Sequence, residues 1–151
     1  MAEFTLLRAL RQHGLPVPRA CAALHRKVGL FYRAEIIVER IPDATDVAAL
    51  LHGVRSLKGA EWQRLGQAVR QLHDAQVFHA DLNCHNLMLD THGASWIVDF
   101  DKCAFRPGET WKAANLKRLL RSLRKERRLD PSLHWDEAQW QQFMEGYTPS
   151  A

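Results

Sequence analysis

The stretch His79 to Asn86, HADLNCHN, constrains this chain more than any other. Its histidines, aspartate and asparagines lie between the apolar pair Val77-Phe78 and the run Leu87 to Leu89. A loop this polar needs firm anchors on both sides. Upstream, Trp62, Leu65, Ala68, Val69 and Leu72 recur at the spacing of one helical face, which predicts a helix over about 60–75. Downstream, LMLD and SWIVDF surround a turn at Thr91 to Gly93 and predict a β-hairpin beneath the loop.

Asp81, Asn86 and Asp99 carry the chemistry this layout permits. Metal-assisted phosphoryl transfer needs one carboxylate to accept the proton of an attacking hydroxyl, plus an amide and a second carboxylate to hold magnesium against nucleotide phosphates. The hairpin between Asn86 and Asp99 returns both ligands to one end of the strands. His79 is expected to prop the loop backbone rather than act as a base. A bland alternative exists for the loop alone, because Asp and Asn readily satisfy local backbone groups in turns. His73 and His85 are read as polar surface or loop support. Asp101 either touches the metal or caps the turn.

Elsewhere, a helix is expected over 2–13, ended by Gly14, Pro16 and Pro18, then strands near 20–26 and 30–41 joined by a turn at Lys27 to Gly29. A polar connection through DATDVAALL leads to the 60–75 helix. A basic helix is expected over 110–128, with Leu116, Leu119, Leu120 and Leu123 as its apolar stripe, and a last helix near 135–146. Cys21, Cys84 and Cys103 form no CxxC pair and read as free thiols. No apolar run is long enough to cross a bilayer, and the N-terminus lacks a secretory pattern, so a cytoplasmic protein is expected.

The formal net charge of +4 is concentrated in one segment, where Lys112, Lys117, Arg118, Arg121, Arg124, Lys125, Arg127 and Arg128 face the single acid Glu126. Such a run is either a solvated face or a surface for anionic lipid headgroups or phosphates. Nucleic acid is not the expected partner, since neither an aromatic platform nor a reading helix is evident.

HADLNCHN followed by IVDFDK resembles the catalytic and metal loops of the protein-kinase-like fold, with its His-x-Asp-Leu-x-x-x-Asn and Asp-Phe-Gly patterns. The resemblance implies an α+β, protein-kinase-like fold with a mostly helical C-lobe over 42–151 and a partial N-lobe and hinge over 1–41, packed as one compact unit. It makes Asp81 the catalytic base and Asn86 and Asp99 the magnesium ligands. His79 and Asn83 become loop support, and Phe100 becomes a packing residue. Glu39, Arg40 and Ile41 form the hinge that meets adenine, so ATP and magnesium are the implied cofactors. Ala80 replaces the Arg that couples protein kinases to a phosphorylated activation loop, Asp101 replaces the metal-loop glycine, and little room remains for a peptide platform. A small-molecule or lipid-linked hydroxyl therefore fits better.

Within that superfamily, RQHGLPVPRACAA, YRAEIIVERIPDATDVAALL and FHADLNCHNLMLD are similar to the Kdo (3-deoxy-D-manno-octulosonic acid) kinases of the lipopolysaccharide core kinase group. That similarity implies ATP-dependent phosphorylation of the 4-hydroxyl of a Kdo sugar on Kdo-lipid IVA, at the cytoplasmic face of a Gram-negative inner membrane. The glycine-rich loop and the lysine strand of the fold are absent. Glu3 matches the acid that would pair that lysine, and Lys27 is a poor substitute for it. The chain thus resembles a kinase shortened at its N-terminus, for which weak ATP binding is expected. The alternatives are another small-molecule phosphotransferase, of the aminoglycoside or choline kinase type, and a non-catalytic nucleotide- or lipid-binding remnant.

Overall fold

The computed structural model describes residues 2–29, 31–53 and 56–148. α1 (Ala2–Gln12) buries Leu6, Leu7 and Leu10 and is followed by the antiparallel pair β1 (Ala20–Val28) and β2 (Phe31–Val38). The expected second strand stops three residues early, because Glu39 to Ile41 leave the ladder; its first residue, Leu30, lies outside the described residues. Lys27 falls inside β1 rather than in the turn, paired with Tyr32.

DATDVAALL is more than a connection. β3 (Thr45–Asp46) adds an edge strand to the central hairpin, and Asp46 then caps α2 (Val47–Leu51) by accepting the Ala49 N–H at 3.0 Å. An acid before an apolar run satisfies one of the orphan amides of a helix start. α3 (Gly59–Asp74) follows, and all five residues of its expected apolar face are buried.

Four short strands then position the loop. β4 (Val77–Phe78) pairs with β7 (Ala104–Phe105), a pairing that the sequence reading did not include. β5 (Leu87–Leu89) and β6 (Ser95–Ile97) form the expected hairpin, with the register Leu87↔Ile97. Asp90 locks its turn by accepting the His92 and Ala94 N–H groups at 2.9 Å, and Gly93 supplies the positive φ of 77°. β6 ends before Val98, so Asp99 leaves the ladder with a φ of 62°.

The basic helix is α4 (Lys112–Leu129), and α5 (Glu137–Tyr147) follows it. α5 is capped at Asp136, which accepts the Ala138 and Gln139 N–H groups. It crosses α3 where Gly66 meets the Phe143 carbonyl and Gly146 meets the Gln63 carbonyl, so both helices need a residue without a Cβ there. The core lies between α3, α5, α2 and the hairpin, with Trp62, Leu65, Leu72, Leu87, Ile97 and Phe143 fully buried. Among the described residues no helix is long and apolar enough to cross a membrane.

Candidate active site

The loop from His79 to Asn86 folds onto itself first. Asn83 Oδ1 accepts the His85 N–H at 2.8 Å and the Asn86 N–H at 3.2 Å, while its Nδ2 donates to the Asp81 carbonyl at 3.1 Å. That side chain is consumed in shaping the loop. Asn86 Nδ2 donates to the same carbonyl at 2.9 Å, which leaves Asn86 Oδ1 without a partner among the described residues. The hairpin then brings in Asp99, because the Val98 N–H donates to the Asn86 carbonyl at 3.0 Å and Asp99 is the next residue. Asp81, Asn86 and Asp99 are thus tied together through one side-chain-to-backbone bond and one backbone–backbone bond.

His79 is fully buried with its ring edge-on to Phe100 at 5.1 Å. Its Nε2–H donates to the Val98 carbonyl at 3.0 Å, and Nδ1 accepts the Asp81 N–H at 3.3 Å. Burial pushes its pKa down, so the ring is neutral and links the two loops. The Ala80 N–H adds a contact to Cys103 Sγ at 3.4 Å, a thiol that burial raises to about 11 and thereby renders inert.

α4 fastens the loop from the other side at three points on one helical face. Asn115 Nδ2 donates to the His79 carbonyl at 2.8 Å, Arg118 reaches Asp81 Oδ1 through Nε at 3.1 Å and Nη2 at 2.6 Å, and Ser122 Oγ accepts the Cys84 N–H at 3.0 Å. Arg118 holds the Asp81 carboxyl below the usual range. Sequence reasoning missed these residues. Asn115 did leave a signal, as a polar residue on the buried stripe with Leu119 and Leu123, whereas Arg118 was one cation among eight.

His73 is not surface. It is fully buried, donates from Nε2 to Asn115 Oδ1 at 3.1 Å, and accepts from the Tyr147 hydroxyl at Nδ1 at 2.9 Å. A chain of polar groups therefore runs from α5 through α3 and α4 to the loop backbone. Burial lowers its pKa from 6.5 to about 4. A histidine neutral in the fold but free to charge when unfolded costs nothing above pH 6.5, and the unfolded state binds the extra proton below it. Stability should therefore fall by up to about 1.4 kcal/mol per pH unit as pH drops from 6.5 to 4. Urea titrations across this window should show that slope in the native chain and a shallower one in His73→Gln; equal slopes would assign the acid sensitivity to other groups.

Two cavities flank the loop and share no lining residue. The first, about 330 Å³, is bounded by Ile36, Val38, Glu39 to Ile41, Met88, Val98 and Asp99. Glu39 is partly spent, since its N–H donates to the Arg19 carbonyl at 2.8 Å and its carboxylate pairs with Arg19 at 3.2 Å. The backbone groups of Arg40 and Ile41 take no partner among the described residues, so they remain available to a ligand. Glu3 borders the same cavity; burial, then the nearby Asp101 and Asp99 carboxylates, raises its pKa. No cation pairs with it among the described residues. The Asp101 side chain caps no turn there either, and only its carbonyl is used, by Cys103 Sγ at 3.6 Å.

Among the described residues no three His, Cys, Asp or Glu side chains group tightly enough to hold a metal ion alone. Asp99 and Asn86 offer two oxygens instead. That donor set suits magnesium, which keeps several waters and takes substrate phosphates as further ligands.

Residues 1–147 match the lipopolysaccharide kinase (Kdo/WaaP) family. The chain belongs to this family. It is 42% identical over 146 residues to a 3-deoxy-D-manno-octulosonic acid kinase of Vibrio vulnificus, covering 97% of this chain and 61% of that protein. The corresponding protein of Photobacterium profundum is 43% identical over 145 residues, and that of Haemophilus influenzae 45% over 130 residues, with 61% and 54% of their lengths covered. The chain thus spans well under two thirds of these Kdo/WaaP relatives. A chain in the crystal structure of the yeast RNA Pol II CTD kinase CTDK-1 complex superposes with a TM-score of 0.50 at 20% identity, covering 71% of this chain and 34% of that one. The α+β, kinase-like fold expected for HADLNCHN and IVDF is the fold of this Kdo/WaaP family member.

Proposed function

We propose that the chain carries the catalytic half of an ATP-dependent kinase that phosphorylates a hydroxyl of a Kdo sugar, the 4-hydroxyl, on a lipid A precursor. One observation carries the reading: Asp81, Asn86 and Asp99 are bound into one unit between an apolar, base-sized cavity and a separate polar one. Asp81 accepts the proton of the acceptor hydroxyl, and its exposure keeps it open to that substrate. Asn86 Oδ1 and the Asp99 carboxylate would hold magnesium, which would neutralise charge developing on the transferred phosphoryl group. Arg40 and Ile41 offer backbone groups to adenine. His79 holds the two loops in register, and Asn83 shapes the catalytic loop.

The same reading puts the protein on the cytoplasmic face of a Gram-negative inner membrane, with exposed Arg128 near the end of α4 adding attraction to anionic lipid. The test is transfer of labelled phosphate from ATP to Kdo-lipid IVA in anionic and in zwitterionic vesicles. Magnesium-dependent transfer is expected, faster on anionic vesicles, absent with aminoglycosides and abolished in Asp99→Ala. Transfer to aminoglycosides but not to the Kdo lipid would overturn the acceptor assignment, and equal rates on both vesicles would remove the membrane contact.

A further inference from the structure

The second cavity, about 360 Å³, opens beside Asp81 and is walled by Asn83 and His85 of the loop and by Arg118, Arg121, Ser122 and Lys125 of α4. Residues 118, 121, 122 and 125 follow the i, i+3, i+4, i+7 spacing of one helical face. Arg121 lies about 4.5 Å and Lys125 about 10 Å along the helix axis from Arg118, at 1.5 Å per residue. Cationic groups therefore line the wall outward from the loop carboxylate.

Four of the eight cations on α4 are already engaged. Lys112 pairs with Glu109 at 2.7 Å, Arg124 pairs with Glu137 at 2.8 Å, and Arg127 donates to the Leu133 carbonyl at 2.6 Å. The cavity's own acids are engaged as well, with Asp81 held by Arg118 at 2.6 Å and Glu126 flanked by His52 and His85, each at 3.4 Å. Arg121 and Lys125 are exposed and have no hydrogen-bond or ion-pair partner among the described residues. Two unmatched cations in a concave site next to a proton acceptor form a receptor for an oxyanion. Cations that merely solvate a helix face carry no such relation to a cavity.

We propose that Arg121 and Lys125 bind an anionic group of the acceptor, a sugar carboxylate or a phosphate monoester, and thereby set which hydroxyl reaches Asp81. This rests on the reading of Asp81 as the base that meets the acceptor, and it adds the feature by which that acceptor is recognised. The cavity shares no residue with the one beside the hinge, so its anion binding can be titrated apart from the nucleotide.

Binding is therefore measured without ATP, by calorimetric or NMR titration of the chain with free Kdo, its methyl ester and glucosamine 1-phosphate. Lys117→Glu, which changes a cation outside the cavity, is the control for net charge. Free Kdo should bind at least about tenfold more tightly than its ester, and the double variant R121E/K125E should lose that preference while melting like the native chain. Binding should also weaken with salt, as expected for exposed charges. Binding of glucosamine 1-phosphate, with no difference between Kdo and its ester, would identify phosphate as the recognised oxyanion and still require loss in R121E/K125E. No binding of any probe, unchanged affinity in R121E/K125E, or equal loss in Lys117→Glu overturns the proposal. Failure of the phosphotransfer reading appears separately, as absent transfer from ATP with these affinities intact.

Discussion

Asp81→Asn should lower phosphoryl transfer to the Kdo acceptor by about 10²–10⁴-fold, the range that a positioned general base contributes. The substitution keeps the shape of the side chain and removes its capacity to take a proton. Its structural cost should be small, because the Asp81–Arg118 pair is half-exposed on both sides, and such pairs contribute about 0–1 kcal/mol. Magnesium-dependent protection by ATP should persist, since Asn86 and Asp99 are untouched. Steady-state rates, together with thermal unfolding with and without ATP, separate these effects; transfer within fivefold of the native rate would exclude Asp81 as the base.

Acid should weaken the fold before Asp81 itself is protonated. Arg118 keeps that carboxyl ionised below its ordinary range, so its stabilising pair is present above the unfolded value and lost only under stronger acid. His73, at about 4, begins to draw stability from the fold as pH falls below 6.5.

Gly66→Val should destabilise the protein by about 3–5 kcal/mol, more than ordinary overpacking, because the new Cβ meets backbone rather than a movable side chain. At that crossing it would run into the Phe143 carbonyl and approach the Tyr147 N–H at 2.8 Å. Only separation of α3 from α5 relieves this, and separation withdraws Phe143 from the core. The same shift pulls the Tyr147 hydroxyl away from His73 and loosens the polar chain that ends on the His79 carbonyl. Denaturant unfolding should show the loss, and Gly66→Ala should already be impaired. A Gly66→Val protein of native stability would mean that the helices do not cross at these glycines.

The hairpin, the α3 face and the polar loop were legible in the sequence because each depends on residues close in the chain. The 3.6-residue period of Trp62 to Leu72 and the Asp90 to Gly93 turn act locally, and tertiary context reinforced both. β3, β4 and β7 were not legible. Two-residue strands carry no period of their own and exist only because a distant strand offers them partners.

The loop shows the same division. The spacing of Asp81, Asn86 and Asp99, and the family to which it points, was fixed by the sequence, because a short hairpin returns Asp99 to Asn86 by local geometry alone. Packing across distant parts of the chain decided the rest. It set Asn115, Arg118 and Ser122 against the loop, buried His73 instead of exposing it, and turned three of eight similar cations into the wall of a cavity. Helical periodicity specifies which residues share a face, but what that face meets depends on how the helices cross, and here that crossing depends on the missing side chains of Gly66 and Gly146.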